Sequence, residues 1–545
     1  MNQPKDSEQT RGHNRWKENK KFTPEKLEAA RLALEEVRQG VSPLEALRHN
    51  PLPSGGHASK SVMVAVYRQL VADGELEDDP ALLRRIRMKP SRTLSGVTTV
   101  TVLTKPYPCP GQCIFCPDEA RMPKSYLADE PGAARAVQND FDPYDQVRSR
   151  LDTYEAVGHP TDKIELLILG GTWSAYPASY KEWFLRRCFD AMNEVETATL
   201  EEAHRFNETA PHRNVGLVIE TRPDEITPAE LRDLRRMGVT KVQMGAQSLD
   251  DAILAQNQRG HTAADTLRAA TLLRAAGFKI VLHWMPNLLG ATPDSDREDF
   301  ARLWRSAAEG LGYAPDEMKI YPTQLLKTAE LYRYWQRGEY HPYDTETLIN
   351  LVADLKPTIP PYCRVNRIIR DIPSTHVVEG NKRTNLRMDA LAEVKRRGQV
   401  CRCVRCREIR GQKVDVDSLV MEDFVYYPAH AEEHFLSYVT PDDKMAGFLR
   451  LSLPTAAAPD LGMADLRSAA LVREVHVYGQ SLEVGAEQEG AAQHIGLGTN
   501  LLAKAEEIAR SKGFRRLAVI AAIGTRRYYA SRGFSPGELY MVKEI

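Results

Sequence analysis

The stretch Lys105-Pro-Tyr-Pro-Cys-Pro-Gly-Gln-Cys-Ile-Phe-Cys-Pro117 decides how this chain folds, because it places three thiols directly after an apolar segment. Residues 96–104, GVTTVTVLT, are rich in β-branched side chains and predict a strand that ends at the cysteine loop. Cys109, Cys113 and Cys116 follow a C-x3-C-x2-C spacing. Three thiolates at this spacing can hold three irons of a 4Fe-4S cluster and leave the fourth iron open.

An open iron of this kind can chelate the amino and carboxylate groups of S-adenosylmethionine, whose one-electron cleavage releases a 5′-deoxyadenosyl radical. Phe115, an aromatic residue just before the third cysteine, makes the loop similar to that of the radical-SAM superfamily. A zinc site is the alternative, but zinc normally takes four ligands and no fourth stands nearby in the sequence. A disulfide is disfavoured because the eight cysteines are few and clustered.

The composition indicates a globular protein of several domains. A length of 545 residues predicts two to four domains, and 42% hydrophobic with 27% charged residues is ordinary for a soluble chain. The sequence has no apolar run of about 20 residues, and its polar N-terminus has no signal core. We therefore expect a cytoplasmic protein without a membrane partner.

The N-terminal part combines basic segments with short helices. Residues 1–22 are predicted to form a disordered basic arm, and 23–94 a helical unit that binds tRNA. Helices are expected from Thr23, from Ser42 with Glu45 closing a capping box, and over 59–72. Lys and Arg side chains can bind the phosphates of a nucleic acid. The alternative interpretation is that these basic segments form a solvated tail. The predicted nucleic-acid contacts are Arg11, Arg15, Lys17, Lys20, Lys21, Arg84, Arg85, Arg87, Lys89 and Arg92.

Residues 95–375 alternate between apolar strands and helical patterns, which predicts parallel βαβ units. Strands are expected at 96–104, 163–170, 214–220, 239–245, 279–285 and 317–321, with helices such as 228–237 and 262–276 between them. This α/β pattern suits the open, partial (βα)6 barrel of radical-SAM enzymes. The cysteine loop would then lie at the carboxyl edge of the strands, where α/β ligands collect.

The resemblance to radical-SAM enzymes also assigns residues to S-adenosylmethionine. Gly170-Gly171-Thr172 ends the second strand, where glycine permits a close approach to the amino group. Gln247 and Arg259 match positions that contact the nucleoside and the carboxylate. A plain turn and a surface arginine are the alternatives.

Residues 412–545 are predicted to form a second α/β domain, with strands at 447–453 and 471–478. Gln493 to Gly498 read Q-x-x-G-x-G, and small residues at a helix start let backbone N–H groups face a pyrophosphate. The Rossmann alternative requires G-x-G-x-x-G and a second βαβ half. The arrangement instead resembles the GNAT acyltransferases, which bind acetyl-CoA. By that resemblance Tyr529 orients or protonates the coenzyme A thiolate, and Tyr528 is the second choice. The alternative is that the tyrosine is only a buried core residue.

A second cysteine group lies in the linker 376–411. Cys401, Cys403 and Cys406 form a C-x-C-x2-C pattern far from any predicted barrel strand. Structural zinc is favoured, with Cys363 or His376 as candidate fourth ligands. A second cluster and free thiols are the alternatives.

Six stretches together resemble the catalytic subunit of the Elongator complex over about 80–545: KPSRTLSGV, LGGTW, IETRPD, RVNRIIRDIP, LVREVHVYG and GTRRYYASRGF. The resemblance implies a tRNA carboxymethyluridine synthase that makes 5-carboxymethyluridine at the wobble position from acetyl-CoA and S-adenosylmethionine. By this resemblance Lys163, Tyr528 and Tyr529 are the catalytic residues. Because Lys163 belongs to the radical-SAM domain, the resemblance implies a coenzyme A site that bridges the two domains. The implied acetyl-CoA contacts are Lys163, Glu474, Val475, His476, Val477, Gly496, Leu497, Gly498, Thr499 and Tyr529.

The expected partners are a tRNA anticodon stem-loop and an electron donor, with a homodimer left open. The short gap between Cys109 and Cys113 differs from eukaryotic members of the family. It favours a stand-alone prokaryotic protein, which puts the other Elongator subunits in doubt as partners. The alternative functions are a GNAT-type protein lysine acetyltransferase with a structural or regulatory cluster, and an RNA-binding scaffold.

Overall fold

The computed structural model describes residues 22–410, 415–478 and 495–545. The basic run from Arg11 to Lys21 and the dipeptide Gln493-His494 therefore lie outside the described residues. A helical unit comes first, and Ser42 caps its second helix by accepting a hydrogen bond from the Glu45 N–H at 3.3 Å. The helices are α1 (Pro24–Arg38), α2 (Pro43–His49), α3 (Lys60–Ala72) and α4 (Pro80–Ile86). Apolar side chains such as Leu34 and Met63 are fully buried between them.

A parallel sheet of seven strands follows, in the spatial order β1 to β7. Its strands are β1 (Thr98–Leu103), β2 (Lys163–Leu169), β3 (Arg213–Thr221), β4 (Lys241–Gln247), β5 (Lys279–Trp284), β6 (Glu317–Ile320) and β7 (Arg364–Ile368). The predicted fold class is confirmed, and the sheet has one strand more than the six expected. The additional strand is β7, whose sequence RVNRI does not have the apolar pattern of a strand because two arginines and an asparagine interrupt it.

Helices connect and cover these strands. They are α5 (Pro131–Gln138), α6 (Pro143–Ala156), α7 (Ala178–Asn193), α8 (Leu200–Asn207), α9 (Pro228–Arg236), α10 (Asp251–Gln256), α11 (Ala263–Ala275), α12 (Pro293–Arg302), α13 (Leu331–Gln336), α14 (Thr345–Leu355) and α15 (Leu386–Arg396). In β2, Ile164, Leu166 and Ile168 are buried, while the alternate residues are partly exposed. This alternation places the apolar side chains under the helices and polar ones such as Glu165 in the barrel lumen.

After the short helix α16 (Val404–Arg407), a second seven-stranded sheet begins. Its elements are β8 (Val420–Tyr426), β9 (Ala431–Val439), β10 (Met445–Pro454), β11 (Ala469–Val477), α17 (Ile495–Ser511), β12 (Arg516–Val519), α18 (Arg526–Ala530), β13 (Ser535–Pro536) and β14 (Met541–Glu544). Its spatial order is β13-β14-β12-β11-β10-β9-β8. Strands β11 and β12 are parallel, and the other neighbours are antiparallel.

A buried ionic network joins the two sheets. Asp316, just before β6, accepts a hydrogen bond from Arg473 of β11 at 3.0 Å and lies 3.4 Å from Arg450 of β10. Lys279, the first residue of β5, contacts the Glu474 carboxylate at 2.7 Å. The second sheet therefore covers the amino ends of the barrel strands, opposite the cysteine loop. No helix in the described parts of the chain is long and apolar enough to cross a membrane.

Candidate active site

The cysteine loop leaves the end of β1 and faces the ends of the neighbouring strands. Cys109 Sγ lies 3.6 Å from Thr172 Oγ1, and Arg259 donates a hydrogen bond to Cys113 Sγ at 3.4 Å. The hydrogen bond from the Cys116 thiol and the charge of Arg259 hold the pKa of Cys113 at about 5, although burial opposes them. A thiolate is the form of cysteine that ligates a metal, so the surroundings of Cys113 favour the ligand state.

Gly170 and Gly171 both have positive φ angles, 132° and 98°. A Cβ atom on Gly170 would lie 1.9 Å from Thr104 Oγ1, which excludes any side chain there. Packing against Thr104 at the end of β1 is therefore enough to require glycine at position 170, with or without a bound ligand. At Gly171 the nearest atom to an added Cβ is the Lys124 carbonyl oxygen, 3.6 Å away.

Buried polar atoms without partners gather beside the cysteine loop. Among the described residues, Gln247 Oε1, Arg259 Nε and Arg222 Nη1 have no hydrogen-bond partner. A Cβ added to Gly111 of the loop would lie 2.1 Å from Arg222 Nη1, so this guanidinium packs directly against the loop. Buried polar atoms normally find partners, so the two arginine N–H groups fit a carboxylate such as that of S-adenosylmethionine, and Gln247 Oε1 fits a hydroxyl or ammonium donor of the same ligand. Arg222 was not predicted, although it stands in the motif IETRPD that was singled out.

The predicted acyl-CoA residues collect around the start of α17. Gly496, Leu497, Gly498 and Thr499 occupy its first turn, and Arg532 donates a hydrogen bond to Thr499 Oγ1 at 3.3 Å. A Cβ on Gly498 would lie 2.7 Å from Tyr528 Oη and 3.7 Å from Val477 Cγ2.

Tyr529 is among the residues that line a cavity of about 490 Å³ between the two sheets. Glu474, Val475 and His476 of β11 line the same cavity, here named the acyl-side cavity. Burial lowers the pKa of His476 to about 4 and raises the pKa of Tyr529, so both side chains are neutral near pH 7. Burial and Glu317 would raise the pKa of Glu474, but Lys279, Arg450 and Lys241 outweigh them and hold it at about 2. Glu474 is therefore an ion-paired carboxylate.

Lys163 begins β2, two residues before Glu165, which lines the acyl-side cavity. Lys163 itself does not belong to the described lining of that cavity. Burial lowers the pKa of Lys163.

A second cavity of about 610 Å³ lies at the other end of the barrel lumen and is named the cluster-side cavity. Cys116, Gln247 and His283 are among its lining residues. Six residues line both cavities: Arg92, Thr99, Glu165, Lys241, Glu317 and Asn366. Lys241 Nζ contacts Glu165 at 2.7 Å and Glu317 at 3.0 Å, so an ion-paired lysine stands where the cavities meet. The barrel lumen thus extends from the cysteine loop to the second sheet.

The predicted basic run from Arg84 to Arg92 begins in the last turn of α4, and its members have different roles in the structure. Arg87 donates a hydrogen bond to the Gly158 carbonyl at 2.6 Å, and Arg85 donates one to the Val41 carbonyl at 3.1 Å. These two arginines therefore hold the helical unit together and against the barrel. Arg84 and Lys89 are not buried, whereas Arg92 lines both cavities.

In the second cysteine group, the sulfurs of Cys401, Cys403 and Cys406 lie within 4.8 Å of one another. Sulfurs bound to one tetrahedral zinc stand about 3.8 Å apart, from a Zn–S length of about 2.3 Å, so the spacing fits a single ion. His376 does not join them, because it is paired with Asp129 at 2.6 Å.

A buried lysine lies beside these three sulfurs. Lys356 Nζ donates to Cys403 Sγ at 3.4 Å and to Cys406 Sγ at 3.8 Å. Burial alone would lower the pKa of Lys356, but the neighbouring cysteine thiolates outweigh burial and raise it. Cys363 is buried nearby, and its carbonyl accepts a hydrogen bond from the Val404 N–H at 3.0 Å.

Comparison with known proteins agrees with this architecture. Residues 107–303 match the Radical SAM superfamily and residues 315–397 match the Radical_SAM C-terminal domain. The chain is 43% identical over 464 residues to the tRNA uridine(34) acetyltransferase of Dehalococcoides mccartyi, covering 84% of this chain and 99% of that protein. It is 35% identical to Elongator complex protein 3 of Homo sapiens, covering 85% of this chain and 87% of that protein.

A solved structure gives the same result in three dimensions. The archaeal Methanocaldococcus infernus Elp3, with residues 1–46 deleted, superposes with a TM-score of 0.71 at 36% identity. The match covers 83% of this chain and all of that one. With its radical-SAM half-barrel and second mixed sheet, this chain belongs to the family of Elongator complex protein 3 and the tRNA uridine(34) acetyltransferases.

Proposed function

We propose that this protein modifies the wobble uridine of tRNA by joining the acetyl carbon of acetyl-CoA to carbon 5 of the base. The observation that carries the proposal is the shared wall of the two cavities, because it links an acyl-CoA site to a radical-SAM site through one lumen. Relatives that match most of this chain are named for acetyl transfer to tRNA uridine 34.

Cys109, Cys113 and Cys116 would hold a 4Fe-4S cluster, with Arg259, Arg222 and Gln247 offering unpaired polar atoms to S-adenosylmethionine. When bound there, these groups would supply a 5′-deoxyadenosyl radical that accepts one hydrogen atom from the acetyl methyl group, and the cluster would accept the electron left when carbon 5 loses its proton to water. Hydrolysis of the thioester by water then leaves a carboxymethyl group and free coenzyme A.

The chain's own residues bind and orient the acetyl thioester. The first turn of α17 presents backbone N–H groups, which suit the pyrophosphate of coenzyme A. His476 and Tyr529 offer uncharged hydrogen-bonding groups to the thioester, and His476 Nε2 has no partner among the described residues. We assign Glu474 a positioning role, because Lys279 and Arg450 already bind its carboxylate at 2.7 and 3.0 Å.

The protein lysine acetyltransferase alternative has no comparable support. The acyl-side cavity is bounded by barrel residues such as Glu165, Lys241 and Glu317. A cavity that shares its lining with the cluster-side cavity suits an acetyl group that reacts in the barrel lumen rather than with a peptide lysine. The second cysteine group is assigned to structural zinc, which would fix the segment between the two sheets.

The test uses the full chain, reconstituted anaerobically and reduced, with S-adenosylmethionine, trideuteromethyl acetyl-CoA and tRNA. Nucleoside mass spectrometry should detect 5-carboxymethyluridine, and the 5′-deoxyadenosine formed should carry one deuterium from the acetyl methyl group. Faster acetylation of a lysine peptide than of tRNA, or 5′-deoxyadenosine without deuterium, would contradict the proposal.

A further inference from the structure

Three arginines from separate elements line the cluster-side cavity near the open edge of the half-barrel. Arg92 lies in the turn before β1, Arg135 on α5 and Arg150 on α6. Helices α5 and α6 both pack on β1, which is an edge strand of the parallel sheet. The three guanidinium groups therefore stand at the side of the lumen that no neighbouring strand closes.

None of these arginines forms an ion pair with a carboxylate in the part of the chain that the structure describes. Arg150 stacks on the Tyr154 ring, with 3.9 Å between the guanidinium carbon and the ring centroid. Burial first, and then the charges of Arg150 and Arg92, lower the pKa of Arg135. By contrast Arg148, two residues before Arg150 on α6, is held by Asp152 at 2.8 Å and Glu194 at 2.7 Å.

Like charges that approach one another without a counter-ion destabilise a fold, so such a cluster indicates that an anion binds there. Other anions of the reaction have sites elsewhere. Arg259 and Arg222 lie beside the cysteine loop for the carboxylate of S-adenosylmethionine. The pyrophosphate of coenzyme A is assigned to the start of α17 in the second sheet.

We propose that Arg92, Arg135 and Arg150 bind a backbone phosphodiester of single-stranded RNA, adjacent to the nucleotide whose base enters the cluster-side cavity. This inference rests on the proposed function and locates its RNA at one edge of the barrel. A base can leave its stack and enter an enclosed site, whereas its phosphate must stay at the rim, because a buried charge without a partner is costly. Guanidinium groups suit this position because they bind phosphate oxygens in pairs. Arg135 and Arg150 were not among the predicted nucleic-acid residues, because both lie far from Arg92 in the sequence.

The test combines charge removal on both molecules. Full-length protein binds a labelled anticodon stem-loop, either unmodified or with uncharged methylphosphonates on both sides of the target uridine. Arg135→Gln and Arg150→Gln should each weaken binding of the unmodified RNA about tenfold and lower the salt slope by about 0.7. The wild type should lose affinity for the uncharged RNA, whereas the triple variant Arg92→Gln/Arg135→Gln/Arg150→Gln should bind both RNAs equally. Arg148→Gln, on the same helix and with the same loss of charge, should keep the wild-type response.

Thermal unfolding separates binding from folding, because neutralising unpaired arginines removes no ion pair and should leave the midpoint unchanged or raised. Wild-type affinity in Arg135→Gln and Arg150→Gln overturns the site. A triple variant that still discriminates against uncharged RNA also overturns the site, since the three arginines would then act only through general attraction. Weakened binding of S-adenosylmethionine or acetyl-CoA with intact RNA binding overturns the choice of RNA as ligand. If the wild type itself shows no salt-dependent RNA binding, the proposed function fails rather than this site.

Discussion

At the scale of single residues, the neighbours of a side chain decide its chemical role. Cys113 and Cys188 are both buried cysteines, yet their surroundings differ. The Cys116 thiol and Arg259 hold the pKa of Cys113 at about 5, while burial raises the pKa of Cys188. The first is prepared to ligate a metal, and the second serves as a small apolar side chain.

This contrast predicts opposite results for two substitutions. Cys113→Ser should lose most of the iron bound on anaerobic reconstitution, because three ligands are the minimum for this kind of cluster. Formation of 5′-deoxyadenosine should fall with it. Cys188→Ala should keep both the iron content and the cleavage rate. Iron analysis and chromatography of the nucleoside measure the two quantities, and wild-type cleavage by Cys113→Ser would refute the assignment of the loop.

At the scale of elements, the first turn of α17 contains two glycines, Gly496 and Gly498, whose surroundings differ. The space for a Cβ at Gly498 is taken by Tyr528 Oη, 2.7 Å away, whereas at Gly496 the nearest atom is Asn500 Nδ2 at 3.9 Å. Protein packing therefore accounts for Gly498. At position 496 none of the described residues requires a glycine, whereas a ligand bound at the helix start would.

We expect Gly496→Val to weaken acetyl-CoA binding at least tenfold while the unfolding temperature stays within about 1 °C of the wild type. The reason is that the added side chain would meet the pyrophosphate, whereas among the described residues the nearest atom to its Cβ is Asn500 Nδ2 at 3.9 Å. Gly498→Val should lower both the affinity and the unfolding temperature, because it displaces Tyr528. Calorimetric titration and thermal melts measure these effects. Normal acetyl-CoA affinity in Gly496→Val would mean that the pyrophosphate lies elsewhere.

At the scale of the whole molecule, buried charges fix how the two sheets meet. Asp316 has no exposed surface and binds Arg473 and Arg450 of the second sheet. Burial would raise the pKa of Asp316, but Arg473, Arg450 and Arg274 outweigh burial and hold it at about 2, below its ordinary value of 3.8. A carboxyl whose pKa is lower in the folded state stabilises that state above its unfolded pKa, and this stability is lost as the pH falls toward the folded pKa.

The Asp316 carboxylate should therefore contribute roughly 2 kcal/mol at neutral pH through this shift, lost between pH 3.8 and about 2. Asp316→Asn should cost about 3–5 kcal/mol at pH 7, because it removes one of the buried carboxylates that balance Arg473, Arg450 and Arg274 and leaves Glu433 and Glu474 to balance all three. The difference from the wild type should shrink as the pH falls through that window. Asp294→Asn, at an exposed carboxylate, is the control. Urea unfolding at several pH values measures the change, and a pH-independent difference would contradict it.

The sequence by itself determined the features that depend on short spacings. The cysteine loop, the strand ends at Gly170 and Gln247, and the small residues at Gly496 and Gly498 can each be recognised within a stretch of a few residues. Local spacing is enough for these, because a strand or a helix start fixes where its immediate neighbours go.

Only the tertiary structure decided which distant residues share a wall or a charge. Lys241 meets Glu165 and Glu317, each 76 positions away, in the middle of the lumen. Lys356 comes to lie beside Cys403, and Arg135 beside Arg92 and Arg150. The strand order and the covering sheet set these contacts, and neither is encoded in the periodicity of any one segment. Buried charges balance through space rather than along the chain, so their partners become visible only when the barrel and the second sheet have closed on each other.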